Sequence, residues 1–175
     1  MRKITAALAA AVLGAIALAP ARAADIPEFK SSRDMVEYFW NQVFNRHDPS
    51  VIDSMTGETY TQHSPGFADG KKAFKDGITG FLKEFPESSA EIRHIGADGD
   101  LVFIHNHIKL NARDRGQAAV DIFRVKDGKI VEHWDVIQDI PEKAENQNTR
   151  ARSYMTVIDL LHNLTYIKNY KNSVI

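Results

Sequence analysis

The sequence predicts an α+β domain in which three amphipathic helices precede a run of hairpin-linked antiparallel strands. Two observations carry this. Apolar residues recur at helical spacing as far as Phe85, and from Ser89 to Ile140 the pattern changes to short strand-like runs punctuated by turn residues. Helices first and strands afterwards is the order of an α+β fold, not the alternation of an α/β one.

The elements follow in order. Residues 1–23 have the layout of a cleaved export leader. Arg2 and Lys3 begin it, an Ala/Leu-rich core runs from Ile4 to Leu18, and Ala21-Arg22-Ala23 follows the helix breaker Pro20. That core is short for a bilayer span, so a periplasmic or secreted protein without stable membrane insertion is expected. Ser31 or Ser32 can cap the first helix, with Asp34 near its positive end. Val36, Phe39, Trp40, Val43 and Phe44 give that helix one apolar stripe. His47-Asp48-Pro49-Ser50 ends it and opens a short second helix through Met55. Tyr60 to Asp69 has little periodicity, contains Pro65 and Gly66, and is expected to be a loop. A third helix carries Phe74, Ile78, Phe81, Leu82 and Phe85 on one face and stops at Pro86.

Four strands are expected next: Ala90 to Ile95, Leu101 to Leu110, Gln117 to Val125 and Ile130 to Ile137. The turns Ala97 to Asp100, Asn111 to Gly116 and Lys126 to Lys129 connect them. The domain spans residues 31–141. Residues 142–175 form an extension, polar at first and then carrying Tyr154, Val157, Ile158, Leu161 and Leu164 at helical spacing.

Composition limits function. The chain has 175 residues, a formal net charge of -1 and no cysteine. With no basic stripe, nucleic acid is not expected as a partner. The absence of cysteine excludes disulfides, thiolate nucleophiles and Cys-ligated metal. No G-x-S-x-G elbow is present.

Chemistry concentrates on the strands. Alternation places His105 and His107 on one face of the second strand, and Asp121 with Phe123 on one face of the third; His133, Trp134 and Asp135 stand in succession on the fourth. An imidazole transfers protons near neutral pH, and a carboxylate in an apolar hollow has its pKa raised toward the same range. Any one strand histidine is more often solvated or satisfied by a neighbour, so the accumulation matters more than each member. Gly99 followed by His105-Asn106-His107 matches the opening of a cupin metal motif, with His133 as a further nitrogen. The glutamate of that motif is missing, Asn111 and Ala112 standing in its place, so no metal is assigned.

Two segments carry a family resemblance. Val120-Asp121-Ile122-Phe123-Arg124-Val125, continued by Asp127 to Gln138, and Tyr60-Thr61-Gln62-His63-Ser64-Pro65 with Asp69-Gly70 resemble SnoaL-like proteins of the nuclear-transport-factor-2-like superfamily. The resemblance covers residues 31–140 or so. It implies a cone of helices packed into a curved antiparallel sheet of four or more strands. It also implies cofactor-independent acid/base chemistry on a small carbonyl compound, of the aldol condensation, cyclase or isomerase type. Carried over, Asp121 would be the acid/base, with His107, or failing it His105, as its imidazole. His63 would stand at the pocket mouth and Trp134 would line the cavity. Trp40 and Phe44 would close the wall, and His133, Tyr60 and Phe123 complete the expected pocket. A homodimer formed through the outer face of the sheet is also implied. The alternatives are a small-molecule binding protein of the cell envelope without chemistry, and a His-ligated metal enzyme.

Overall fold

A computed structural model describes residues 26–146 and Asn148. The expected leader and the expected C-terminal helix lie outside the described residues.

Helix α1 (Ser32–Trp40) starts where Ser31 Oγ accepts a hydrogen bond from the Asp34 N–H at 3.1 Å. Its buried residues are Met35, Val36, Phe39 and Trp40, of which Val36, Phe39 and Trp40 belong to the predicted stripe. The helix widens into one π-helical turn over Asn41–Asn45. There Asn45 accepts from the Ala90 N–H at 2.9 Å and donates to the Ala90 carbonyl at 3.1 Å, and the Trp40 indole N–H donates to the same carbonyl at 2.8 Å. These bonds tie the helical layer to the edge of the sheet. Helix α2 (Val51–Met55) buries three of its five residues, and α3 (Lys71–Glu84) turns Phe74, Ile78 and Leu82 inward.

The sheet has five strands: β1 (Thr56–Gln62), β2 (Ser89–Asp98), β3 (Leu101–Lys109), β4 (Gln117–Lys126) and β5 (Lys129–Asp139). Their spatial order is β1-β5-β4-β3-β2. All neighbours are antiparallel except β1 and β5. The β4–β5 turn places both Asp127 and Gly128 at positive φ, the geometry of a tight two-residue hairpin.

Strand β1 corrects the expected loop, which begins only after Gln62. Thr-Gly-Glu-Thr-Tyr-Thr-Gln has no apolar alternation because this is an edge strand that buries little beyond Thr56, Tyr60 and Gln62. Its place comes from parallel pairing, Thr61 with Glu132 and Gln62 with His133, a contact about seventy residues distant that no local pattern encodes. The helices fill the concave face of the sheet. The core there comprises Phe39, Trp40, Val43, Ile52, Met55, Val102, Ile104, Phe123 and Ile130, all at most 2% exposed.

Candidate active site

On β4 the residues Ala119, Asp121, Phe123 and Val125 alternate inward. Asp121 is thus a carboxylate in an otherwise apolar row, 5% exposed. His133 enters the same hollow from β5, also 5% exposed. Its Nε2 lies 2.9 Å from Asp121 Oδ1, and its Nδ1 lies 2.9 Å from Gln62 Oε1. The ring stacks on Phe123 at 4.7 Å between centroids.

The hydrogen-bond network assigns the protons. Gln62 Oε1 also accepts from the Ser64 N–H at 2.9 Å, while Gln62 Nε2 donates to Tyr60 Oη at 3.3 Å. The amide oxygen therefore faces His133, and Nδ1 must carry a hydrogen and donate. On the other side Asn106 Nδ2 donates to Asp121 Oδ2 at 2.5 Å, an orientation that suits the ionised carboxylate. One proton then remains between Asp121 Oδ1 and His133 Nε2. It can sit on either atom, giving an imidazolium–carboxylate or an imidazole–carboxylic acid pair. Below the pair, burial pushes the Tyr60 hydroxyl far above the ordinary phenol range and the nearby Asp121 carboxylate adds to this, so Tyr60 stays protonated.

The pair borders a cavity of about 160 Å³. Trp40, Phe44, Phe67, Phe74, Ile78, Phe81 and Phe123 form its apolar walls. Ile108, Leu110, Gln117, Asp135 and Ile137 surround the rest. Trp40, Phe44 and Phe123 line the cavity as expected, His133 borders it beside Asp121, and Tyr60 is buried and accepts a hydrogen bond from Gln62.

Four expected residues are elsewhere. His105 and His107 lie on the opposite face of β3 from Asp121: the inward residues are Val102, Ile104 and Asn106. Ile104 pairs directly with Asp121, whereas His105 pairs with the outward Val120. His105 Nδ1 stands 2.9 Å from His94 Nδ1, and His107 Nε2 donates to the Arg115 carbonyl at 2.8 Å. Both faces of β3 carry apolar residues, so alternation alone could not say which is concave. His63 and Trp134 also lie outside the cavity. They stack on each other at 4.7 Å with rings 1° from parallel; His63 Nε2 contacts Glu132 Oε1 at 2.8 Å, and the Arg124 guanidinium lies 5.6 Å from the Trp134 ring. The imidazole beside Asp121 is His133.

Gln62, Asn106 and Asp135 were not foreseen as site residues. Asn106 had a legible signal, a polar residue on the stripe Val102, Ile104, Ile108. The others depend on strand pairing: Gln62 faces His133 across the β1–β5 pair, and Asp135 faces Asp121 across the β4–β5 pair. Asp121, His133 and Asp135 each offer a ligand atom, all within 4.8 Å of one another, close enough to share a cation. Both His133 nitrogens are already engaged, so an ion would have to displace the Asp121–His133 hydrogen bond. As it stands the contact is arranged for a proton.

A family model for the SnoaL-like domain matches residues 36–133. No curated protein matches the chain. Among solved structures, a SnoaL-like protein of unknown function from Burkholderia thailandensis is 20% identical. That match covers 64% of this chain and 99% of that one, with a TM-score of 0.53 for a second relative and 0.54 for this one. The second relative is a candidate polyketide cyclase from Acidithiobacillus ferrooxidans, 19% identical, over 63% of this chain and 91% of that one. An NTF2-like protein of unknown function from Cytophaga hutchinsonii is 16% identical over 65% and 95%, at 0.53. At these identities the structures establish the shared cone fold and nothing of the chemistry. The family model, which spans more than half of the sequence, goes further: the chain belongs to the SnoaL-like domain family.

Proposed function

We propose that the protein is a cofactor-independent acid/base enzyme that enolises a small carbonyl compound, in an aldol condensation, cyclisation or isomerisation. The observation that carries this is the buried contact of 2.9 Å between Asp121 Oδ1 and His133 Nε2 at the edge of an apolar cavity. Starting from the imidazolium–carboxylate form, Asp121 takes a proton from the carbon beside the substrate carbonyl. The C–H electron pair becomes the enolate, and the neighbouring imidazolium offsets its charge. In an isomerisation the Asp121 carboxylic acid returns the proton to another carbon. In an aldol closure the enolate carbon attacks a second carbonyl and the resulting alkoxide takes the proton. Either way the pair ends with the protons it began with.

Apolar walls favour this role because they keep water away from the reacting carbon and the developing enolate. Asn106 and Gln62 hold the two partners from behind, so neither must reorganise during transfer. Enolisation can be read without the native substrate by following deuterium incorporation into 4-hydroxyphenylacetone in D2O by NMR. Wild-type protein should exchange its methylene hydrogens well above the buffer rate, and Asp121→Asn should fall to the buffer rate with an unchanged circular dichroism spectrum. A folded Asp121→Asn protein exchanging at the wild-type rate would refute the assignment.

The setting belongs to the same reading. Residues 2–23 support export through a cleaved leader, hence a periplasmic or secreted enzyme. Val120 and Val136, 42% and 73% exposed on the convex face of the sheet, support a homodimer there.

A further inference from the structure

We infer that the cavity selects a single-ring ligand that is neutral or cationic and presents a hydrogen-bond donor to Asp135, and that it rejects carboxylates and other anions. The inference rests on the proposed reading for its site and adds the class of substrate.

Asp135 faces Asp121 across the β4–β5 pair and borders the cavity. Among the described residues it has no hydrogen-bond or salt-bridge partner, in contrast to Asp121, which is held by His133 and Asn106. The Asp121–His133 pair with its single proton is neutral overall. Asp135 therefore leaves the cavity with a net negative charge. Among the described residues no Lys or Arg lines it. Arg113 and Arg115 line a separate groove that shares Ile108, Leu110 and Gln117 with the cavity.

An anion entering this hollow would lose its hydration, find no lysine or arginine, with the His133 imidazole already paired to Asp121, and meet an unpaired carboxylate. A ligand N–H or O–H, by contrast, would give Asp135 the partner it lacks, and a positive charge would strengthen that bond. Size narrows the class further. An apolar cavity of about 150 Å³ holds benzene, and this one measures about 160 Å³ with aromatic side chains on several walls. One ring with short substituents fits.

Three probes of nearly equal shape separate the alternatives: benzamidinium, benzamide and benzoate, titrated into the full-length protein by isothermal calorimetry at pH 7. Benzamidinium should bind tightest, and benzoate at least about tenfold more weakly than benzamide, since each step of about 1.4 kcal/mol is tenfold. In Asp135→Asn the preference for benzamidinium over benzamide should shrink to within about twofold. Benzoate binding as well as benzamide would overturn the inference, as would an unchanged cation preference in Asp135→Asn, which would locate the cation elsewhere on the surface. The ranking is independent of turnover. Wild-type exchange of 4-hydroxyphenylacetone combined with tight benzoate binding would sink the ligand class alone, while exchange by Asp121→Asn would sink the enzyme reading alone.

Discussion

Asn106→Asp replaces the amide that donates to Asp121 by a second acid, at a position with no solvent exposure. The donor–acceptor distance there is 2.5 Å. Two ionised carboxylates at that separation repel by roughly 6–7 kcal/mol at an effective dielectric constant of about 20. Holding one of them protonated at pH 7 costs less, about 4 kcal/mol, because an aspartate with an ordinary pKa near 3.9 must be kept neutral about three units above it. The folded variant therefore traps a proton, and its carboxylic O–H donates to Asp121 as the amide did. The trapped proton raises the folded-state pKa above the unfolded value. The penalty is then absent below about pH 4 and grows by about 1.4 kcal/mol per pH unit until the folded-state pKa is passed. Urea unfolding followed by the fluorescence of buried Trp40 should show Asn106→Asp weaker than wild type by about 4 kcal/mol at pH 7. The gap should narrow by about 2.7 kcal/mol at pH 5. A difference that stays constant between these pH values, or widens toward pH 5, would mean that the Asn106 amide does not face an ionised Asp121, and the proton assignment built on it would fall.

Two further outcomes concern stability alone. Gly116 has φ +80°, and a Cβ there would stand 2.2 Å from the Ile108 carbonyl oxygen, backbone that has no free end to move aside. Gly116→Ala should cost about 2 kcal/mol or more and lower the melting temperature by about 8 °C or more, measured by thermal circular dichroism; an unchanged melting temperature would contradict the packing of the β3–β4 connection. Glu132 is held below its ordinary range first by the Arg124 hydrogen bond and then by His63. A depressed folded-state pKa stabilises above the unfolded value and loses that effect as the pH falls through the folded one, so Glu132→Gln should flatten the decline of the urea midpoint below about pH 4.5. Asp114, lowered by the Leu110 and Gly116 backbone N–H groups, keeps part of that decline in place.

The order of elements was legible because it rests on local periods. The stripe Val36, Phe39, Trp40, Val43 is spaced for a helix whatever surrounds it, and Asp127-Gly128 turns a hairpin through its own backbone preferences. Asp121 was singled out differently, as the carboxylate sharing a face with Phe123 in the segment that resembles SnoaL-like proteins. Its partner was not. His105, His107 and His133 are equivalent on a strand-by-strand reading, and only the register of β3, β4 and β5 separates them.

The helices, the strands β2 to β5 and their turns were readable in the sequence because each depends on neighbours within a few residues, and Asp121 was singled out through the SnoaL-like resemblance. Strand pairing and packing settled which face of the sheet is concave, that Thr56–Gln62 joins it as a fifth strand, and that Asp121 meets Asn106 and a His133 held by Gln62. The physical reason is that a strand has two faces one residue apart. Which of them is buried depends on what packs against it, and on β3, apolar on both sides, the choice falls to the helices and to pairing with β4.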